Sequence, residues 1–405
     1  MSDKPVEYRF PQPDFTVEYR FPDLKLPGPS SFLWAYADIL VLVAIMALTA
    51  LAFYRWRSRI ASVACSLAGL LWFGLFRQGC PCPVGTVQDV IALAINPAAV
   101  IDFAELIFFL LPLVAALFWG RLYCGGACPL GAVQELLFLR KLSIPSPLAA
   151  TLGTVPVFVL GVIVAAAWTG APNAACRTDP FLPVFHPGGI SGRWLLSASF
   201  LAVSLLVYRP YCRFFCVYGL MQKLASKLSG NGPSISPDSC LGCGVCSDTC
   251  PADAIDKPDN PTDTEEGRSR IIPLAAVSLG LVVAFAFLGH FLGRSLSALH
   301  PDVVLASLFA RGNTDALEVR TFLERSGDVA ALAAHAREIV SRFSLVMTVT
   351  GALAALRLGL TLAGTEFRRR RERREIRVDS CFACSRCIHN CPRERHSRNA
   401  RKETV

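Results

Sequence analysis

The chain has 405 residues, 53% of them hydrophobic and only 18% charged, with a mean hydropathy of +0.44. That balance excludes an ordinary soluble domain and leaves several apolar runs near bilayer-spanning length, as expected of a polytopic membrane protein bound in a lipid bilayer. The formal charge of +9 does not make nucleic acid a partner, because the basic residues crowd at the ends of apolar runs, where cytoplasmic loops carry them.

Residues 1–33 read as an extended outer tail. It repeats Val6-Glu7-Tyr8-Arg9-Phe10-Pro11 as Val17-Glu18-Tyr19-Arg20-Phe21-Pro22, an alternation closed by proline that suits extended structure lying on the protein or docking a partner. Residues 1–30 are polar and proline-rich rather than a cleavable signal, so the first apolar run is expected to act as its own insertion signal.

Seven apolar runs follow, at about 34–54, 60–76, 104–120, 148–168, 194–209, 271–292 and 344–364. The arginine-rich run 368–374 directly after the last one predicts a cytoplasmic C-terminus, and counting back puts the N-terminus outside. Segments then assigned to the cytoplasm (55–59, 121–147, 207–270, 365–405) carry 26 Lys and Arg, against 13 in those assigned outside (1–33, 77–103, 169–193, 294–343). The excess has the sign of the positive-inside rule.

The expected organisation is a membrane domain at 34–230, the first half of a ferredoxin module at 231–270, a transmembrane hairpin at 271–364 and, at 365–405, a basic segment with the second half. Within the hairpin, residues 294–343 read as two or three short outer helices broken near Gly312-Asn313 and Gly327-Asp328. The fold class is thus all-α, with about seven transmembrane helices and a small ferredoxin-like α+β two-cluster module split by the hairpin.

The chemistry lies in the sixteen cysteines. Cys240, Cys243, Cys246 and Cys250, followed by Pro251, have the spacing of a bacterial ferredoxin run, and Cys381, Cys384, Cys387 and Cys391, followed by Pro392, repeat it. In a two-cluster ferredoxin the fourth cysteine of each run ligates the other cluster. The expected ligand sets are therefore Cys240, Cys243, Cys246 and Cys391 for one [4Fe–4S] cluster, and Cys381, Cys384, Cys387 and Cys250 for the other. Paired zinc sites would not use a third cysteine step of this kind.

A second motif occurs just past membrane helices, as Cys124-Gly-Gly-Ala-Cys128-Pro129-Leu130-Gly131 running on to Gln134-Glu135, and as Cys212-Arg-Phe-Phe-Cys216-Val217-Tyr218-Gly219 running on to Gln222-Lys223. Two equivalent loops on the cytoplasmic face can supply four thiolates, enough for a third iron–sulfur cluster in preference to zinc. A degenerate third copy, Cys80-Pro81-Cys82-Pro83-Val84-Gly85, has Gln78 in place of the first cysteine. With Cys176 and His186 it is expected outside, where Cys80, Cys82 and Cys176 form either a disulfide with one thiol left over or an additional outer-side cofactor or metal site.

Cys65 reads as packing inside an apolar helix. His290 and His300 are weak haem candidates, because no Cys-x-x-Cys-His attachment run exists. Arg357 inside the last apolar run is expected to face a polar partner or a bound anion such as a quinone. Arg386, Arg393 and Arg395 should raise cluster potentials by favouring the more negative reduced state.

On these cysteine motifs the chain resembles the membrane polyferredoxin family typified by NosR, NirI and NapH, over about residues 60–260 and 378–392. The resemblance implies electron transfer between the quinone pool or a cytoplasmic donor and a periplasmic redox partner or another membrane subunit, with quinol oxidation as the enzymatic variant. The chain departs from the pattern in having Val217 after Cys216, a hairpin between the ferredoxin runs, and no large flavin-binding outer domain. A NapH-like electron-transfer subunit is the nearer expectation. The competing readings are a maturation factor that reduces metal ions or thiols, as CcoG-like relatives do, and a sensor or scaffold with structural clusters.

Overall fold

The computed structural model describes residues 32–79, 82–96, 101–171, 174–185, 192–235, 240–256, 271–313, 315–324, 327–366 and 375–394. The N-terminal repeat, Cys80, His186, the arginine run 368–374 and Arg395 lie outside the described residues. Among the described residues the chain is predominantly helical, and five helical stretches are long and apolar enough to cross a membrane: Trp34–Arg55, Arg59–Phe76, Pro147–Thr169, Ala276–Leu299 and Val329–Leu362.

Helix α1 (Phe32–Ala50) continues through a π turn, Leu51–Arg55, and α2 (Arg59–Gly69) through another, Leu70–Phe76. Ser58 starts α2 by accepting from the Ala61 N–H, the usual service of an N-cap hydroxyl. Next come α3 (Pro83–Ile95) and α4 (Phe103–Trp119). Helix α4 stops at Gly120, whose φ of +76° suits glycine. At 17 residues it spans roughly 26 Å, short of the ~30 Å hydrocarbon core. The fifth apolar run also falls short of the expected span: its helix ends at Ser204, because the Leu205 and Leu206 carbonyls turn to accept from Leu139, Arg140 and Leu142.

The two motif repeats fold alike. Short α5 (Leu122–Gly126) and α6 (Pro129–Leu137) carry the first; α12 (Pro210–Phe214) and α13 (Val217–Ser226) carry the second. Between them lie α7 (Ser146–Leu152), α8 (Val155–Thr169), α9 (Ala174–Thr178), α10 (Leu182–Phe185) and α11 (Gly192–Ser204). Helix α4 contains Pro112; the nearby Phe109 and Pro112 carbonyls accept from Tyr218 and Gln222 of α13 (2.7 and 3.3 Å).

The hairpin consists of α15 (Ile271–Leu296) and α18 (Val329–Glu366), joined through a 3-10 turn, α16 (Pro301–Ala310) and α17 (Leu317–Glu324). Small residues let the two long helices meet backbone to backbone: a Cβ at Gly289 would lie 2.0 Å from the Met347 carbonyl oxygen, and one at Gly351 2.1 Å from that of Phe285. The expected breaks occur at Gly312 and at Asp328, whose carboxylate caps the Ala330 and Ala331 N–H groups. The last helix, however, starts at Val329, so 329–343 extends the final span instead of forming a separate outer helix.

The two cysteine runs come together despite the hairpin between them. Strands β1 (Ile255–Asp256) and β2 (Glu375–Ile376) pair antiparallel, Ile255 opposite Ile376. Helices α14 (Val245–Thr249) and α19 (Arg386–Asn390) pack beside them. These elements share a buried core with the long apolar helices, a continuous cluster that includes Leu42, Phe73, Tyr123, Cys124, Cys212, Cys250 and Phe382.

Candidate metal centres

Left-handed residues make the loops of both cysteine runs. Gly242 and Gly244 have φ +68° and +86°, and the equivalent positions in the second run are Ala383 and Ser385 at +50° and +59°. A side chain in that region is unfavourable, and at Ser385 the buried hydroxyl is held by Ser62 Oγ at 2.8 Å. The Arg59 guanidinium donates to the Cys384 carbonyl (2.7 Å). The second run is thereby seated on the first turns of α2.

Cys250, Cys381, Cys384 and Cys387 line one cavity, with Phe53, Phe382 and Ser385. Cys240, Cys243, Cys246 and Cys391 line a neighbouring one, together with Cys387, Arg393 and Glu394. Each cavity thus holds the first three cysteines of one run and the fourth of the other, with Cys387 in the wall shared by both. Burial pushes the Cys381 thiol up to about 12, so thiolates there require cationic partners.

The third cavity is lined by Cys124, Cys128, Cys212 and Cys216, and by Cys82. Cys82, Cys128 and Cys216 occupy the N-cap positions of α3, α6 and α13. Pro83 and Pro129 supply the preorganised first helical turn. Three helix N-termini therefore converge on one cysteine cavity, an arrangement that favours negative charge.

This cavity packs against the last turn of α2 and the π turn that follows it. A Cβ at Gly69 would lie 2.8 Å from the Ala127 carbonyl oxygen, and one at Gly74 3.2 Å from Pro129 Cβ. Gly69 and Gly74 are ten and fifteen residues beyond Arg59, roughly 15–22 Å along the helix. The irregular backbone of this loop is enclosed by protein: Ser66 donates to the Gly125 carbonyl (2.7 Å), and Gly126 abuts Thr49. Cys82, expected among the outer cysteines, joins the four thiols of the repeats. The third Cys-Pro motif, at Cys82-Pro83-Val84-Gly85, was the signal for it.

Sequence reasoning also missed a reciprocal pattern. Gln134 of the first repeat donates to Cys212 of the second (3.3 Å), while Gln222 of the second accepts from Cys124 of the first (3.8 Å). Arg121 reaches over Gly219, and Arg209 over Gly131, each across to the other repeat. The signal was an Arg-x-Tyr-Cys sequence at both Arg121 and Arg209. Glu135 is ion-paired to Arg209 and to Arg59, and Lys223, at the equivalent position, lies 3.9 Å from Asp379.

Between the second and third cavities stands Phe382. Arg121 lies over its ring at 4.3 Å and Arg209 at 5.3 Å. Arg121 Nη2 also approaches Cys124 Sγ (3.8 Å), and Arg209 donates to the Cys124 carbonyl. Both arginines are buried.

The other candidates lie apart from the third cavity. Cys65 is buried in the core, and Arg357 donates to the Gly153 carbonyl at the α7–α8 break (2.6 Å). His300 caps α16 by accepting from the Asp302 N–H (3.2 Å), and its ring stands against His335, 6.5 Å between centroids. His290 lines a crevice with Arg294 and Arg337. Arg386 stacks over Phe138 at 5.1 Å.

The donor sets fit iron–sulfur clusters better than single ions. Among the described residues, no group of three or more His, Cys, Asp or Glu closes around one metal ion, as a zinc site with ~2.3 Å bonds demands; a cubane takes one thiolate at each of four separate irons. The buried Tyr208 hydroxyl has no hydrogen-bond partner among the described residues, so an acceptor such as a cluster sulfur suits its surroundings.

A family model described as a 4Fe-4S binding domain matches residues 101–145 and 193–235, the two motif repeats with their preceding helices. A second model, also described as a 4Fe-4S binding domain, matches residues 233–256 and so the first ferredoxin run. Comparison with curated proteins and with solved structures finds no match. The chain therefore carries 4Fe–4S binding domains, a content consistent with a polyferredoxin.

Proposed function

We propose that the protein is a membrane-bound electron relay with three [4Fe–4S] clusters, of the NosR, NirI and NapH type. Cys240, Cys243, Cys246 and Cys391 hold the first, Cys250, Cys381, Cys384 and Cys387 the second, and Cys124, Cys128, Cys212 and Cys216 the third. The observation that carries this reading is the succession of three cysteine-lined cavities. The clusters supply one-electron chemistry; the chain supplies spacing, enclosure and charge.

The ferredoxin runs face the cytoplasm in this reading, and the relay leads across the inner membrane toward a periplasmic redox partner. Arg57, ion-paired to Glu394, and Arg59, bonded to Cys384, put the basic end of the first two spans beside the runs, which favours that orientation. Iron and labile-sulfide analysis with an EPR redox titration tests the reading: three clusters require about twelve iron per chain. About eight would remove the third cluster.

A quinone as donor or acceptor is favoured by one further feature. An apolar cavity of about 580 Å3 is lined by Tyr211, Phe215 and Val217, the chain neighbours of Cys212 and Cys216. Quinone-dependent oxidation or reduction of the clusters, lost in Val217→Trp with iron retained, is the expected result. Unchanged rates with every quinone would exclude it.

A further inference from the structure

We propose that Cys82 and Cys176 form a redox-active dithiol at the mouth of the third cavity, through which the protein reduces disulfides on the side opposite its ferredoxin runs. The proposal rests on the relay reading above and extends it to an acceptor class.

Burial falls from the third cavity toward Cys176. Cys124, Cys212 and Cys216 are buried, Cys128 and Cys82 are half-buried in the wall of the same cavity, and Cys176 is exposed. Gly85 stands between the last two. Its N–H lies 3.2 Å from the Cys82 carbonyl, and a Cβ there would be 3.3 Å from Cys176 Sγ. The segment bearing Cys176 is clamped to α3 by Gln88, which donates to the Ala171 carbonyl (2.8 Å) and accepts from the Ala175 N–H (2.9 Å). Gln88 is thus turned toward the segment bearing Cys176, whereas its counterparts Gln134 and Gln222 are turned toward cysteines of the third cavity.

The pair lies at the far end from the ferredoxin runs. Helix α8 begins beside Arg357, near the end of α18, and ends at Thr169, whose carbonyl meets His300 across from the hairpin's short helices. Helix α9 and Cys176 follow that end. A one-electron centre beside a dithiol can perform two-electron sulfur chemistry in two steps, and an exposed thiol is the one that can be attacked or attack.

The cycle balances. The Cys176 thiolate attacks a substrate disulfide, forming a mixed disulfide and releasing one substrate thiol. Cys82 then attacks Cys176 Sγ, forming the Cys82–Cys176 disulfide and releasing the second thiol. Two electrons, delivered singly from the relay, and two protons from solvent break that disulfide and restore both thiols. The net reaction converts one substrate disulfide, two electrons and two protons into two thiols.

The test uses the purified full-length protein with its iron content measured in the same sample, so that loss of clusters is read separately. After incubation with oxidised glutathione, maleimide labelling and peptide mapping should show Cys82 and Cys176 protected as a disulfide, and reduction of the relay by illuminated deazaflavin should restore labelling of both. In Cys82→Ser a glutathione adduct should persist on Cys176; in Cys176→Ala the rate of glutathione reduction should fall at least about tenfold with cluster EPR signals unchanged. Three outcomes overturn the proposal: labelling of both cysteines independent of oxidation in iron-replete protein, protection that requires Cys80 in place of Cys82, or tight binding of one copper or zinc ion by the pair.

Discussion

Gly125 and Phe382 meet so closely that a Cβ on the glycine would lie 2.3 Å from the phenylalanine carbonyl oxygen. Gly125 follows Cys124, and Phe382 follows Cys381, so one non-bonded contact joins the third cysteine cavity to the second. The obstacle is backbone, which cannot swing aside as a side chain would. Gly125→Ala should therefore displace the second run from its seat, at a cost of about 1–3 kcal/mol. The expected outcome is full iron content with slowed reoxidation of the ferredoxin clusters, measured by stopped-flow absorbance; wild-type rates would show that electrons do not use this contact.

Arg121 and Arg209 flank the same contact, and both carry charge into a protein-enclosed region. A positive charge stabilises the reduced, more negative state of a nearby cluster. At an effective dielectric of about 20, a unit charge ~5 Å away is worth about 3 kcal/mol. Partial shielding leaves an expected shift on the order of 50–100 mV for a one-electron couple. Arg121→Gln, which keeps a donor for the Asp379 carbonyl, should lower the midpoint potential of the third cluster by that amount and leave the Cys240 cluster in place. An EPR titration with no resolved shift would remove the electrostatic role.

Much of the site was legible because cysteine spacing is local: the three-residue steps from Cys240 to Cys246 and from Cys381 to Cys387 need no tertiary information. The hairpin was legible too, since α15 and α18 are long and apolar. The seat of Cys124–Pro129 was not, because it is decided by Gly69, Gly74 and Thr49 on other helices, whose small size has no meaning until the partner loop is known. The reciprocal glutamines were quoted motif residues whose targets, Cys212 and Cys124, lie 78 and 98 positions away. The fifth run was overextended because Leu205 and Leu206 are as apolar as a helix requires, while their carbonyls serve residues 139–142.

Lys223 gives a pH signature. Burial lowers its pKa from the ordinary value to about 8, with Asp379 opposing the shift. Below pH 8 the lysine is charged in folded and unfolded states, and folding bears the cost of its partial burial. Between about 8 and 10.5 the unfolded chain binds more protons than the folded one, so this group makes stability rise with pH. Thermal melts should show that rising contribution in the native protein and lose it in Lys223→Met; an identical pH profile in the variant would contradict the assignment.

Cys250 tests the exchange of ligands between the two runs. It follows Cys246 by four residues, yet it lines the cavity of Cys381, Cys384 and Cys387, more than a hundred residues downstream. Antiparallel pairing of Ile255 with Ile376 supplies the register that carries it there. Reference signals come from Cys243→Ser and Cys384→Ser, each of which removes a ligand internal to one run. Cys250→Ser should reproduce the EPR change of Cys384→Ser, with conversion or loss of that cluster and a deficit of up to about four iron. The Cys243-dependent signal should persist. A Cys250→Ser spectrum that instead matches Cys243→Ser would assign all four cysteines of the first run to one cluster, and the pairing of the two runs would then be structural only.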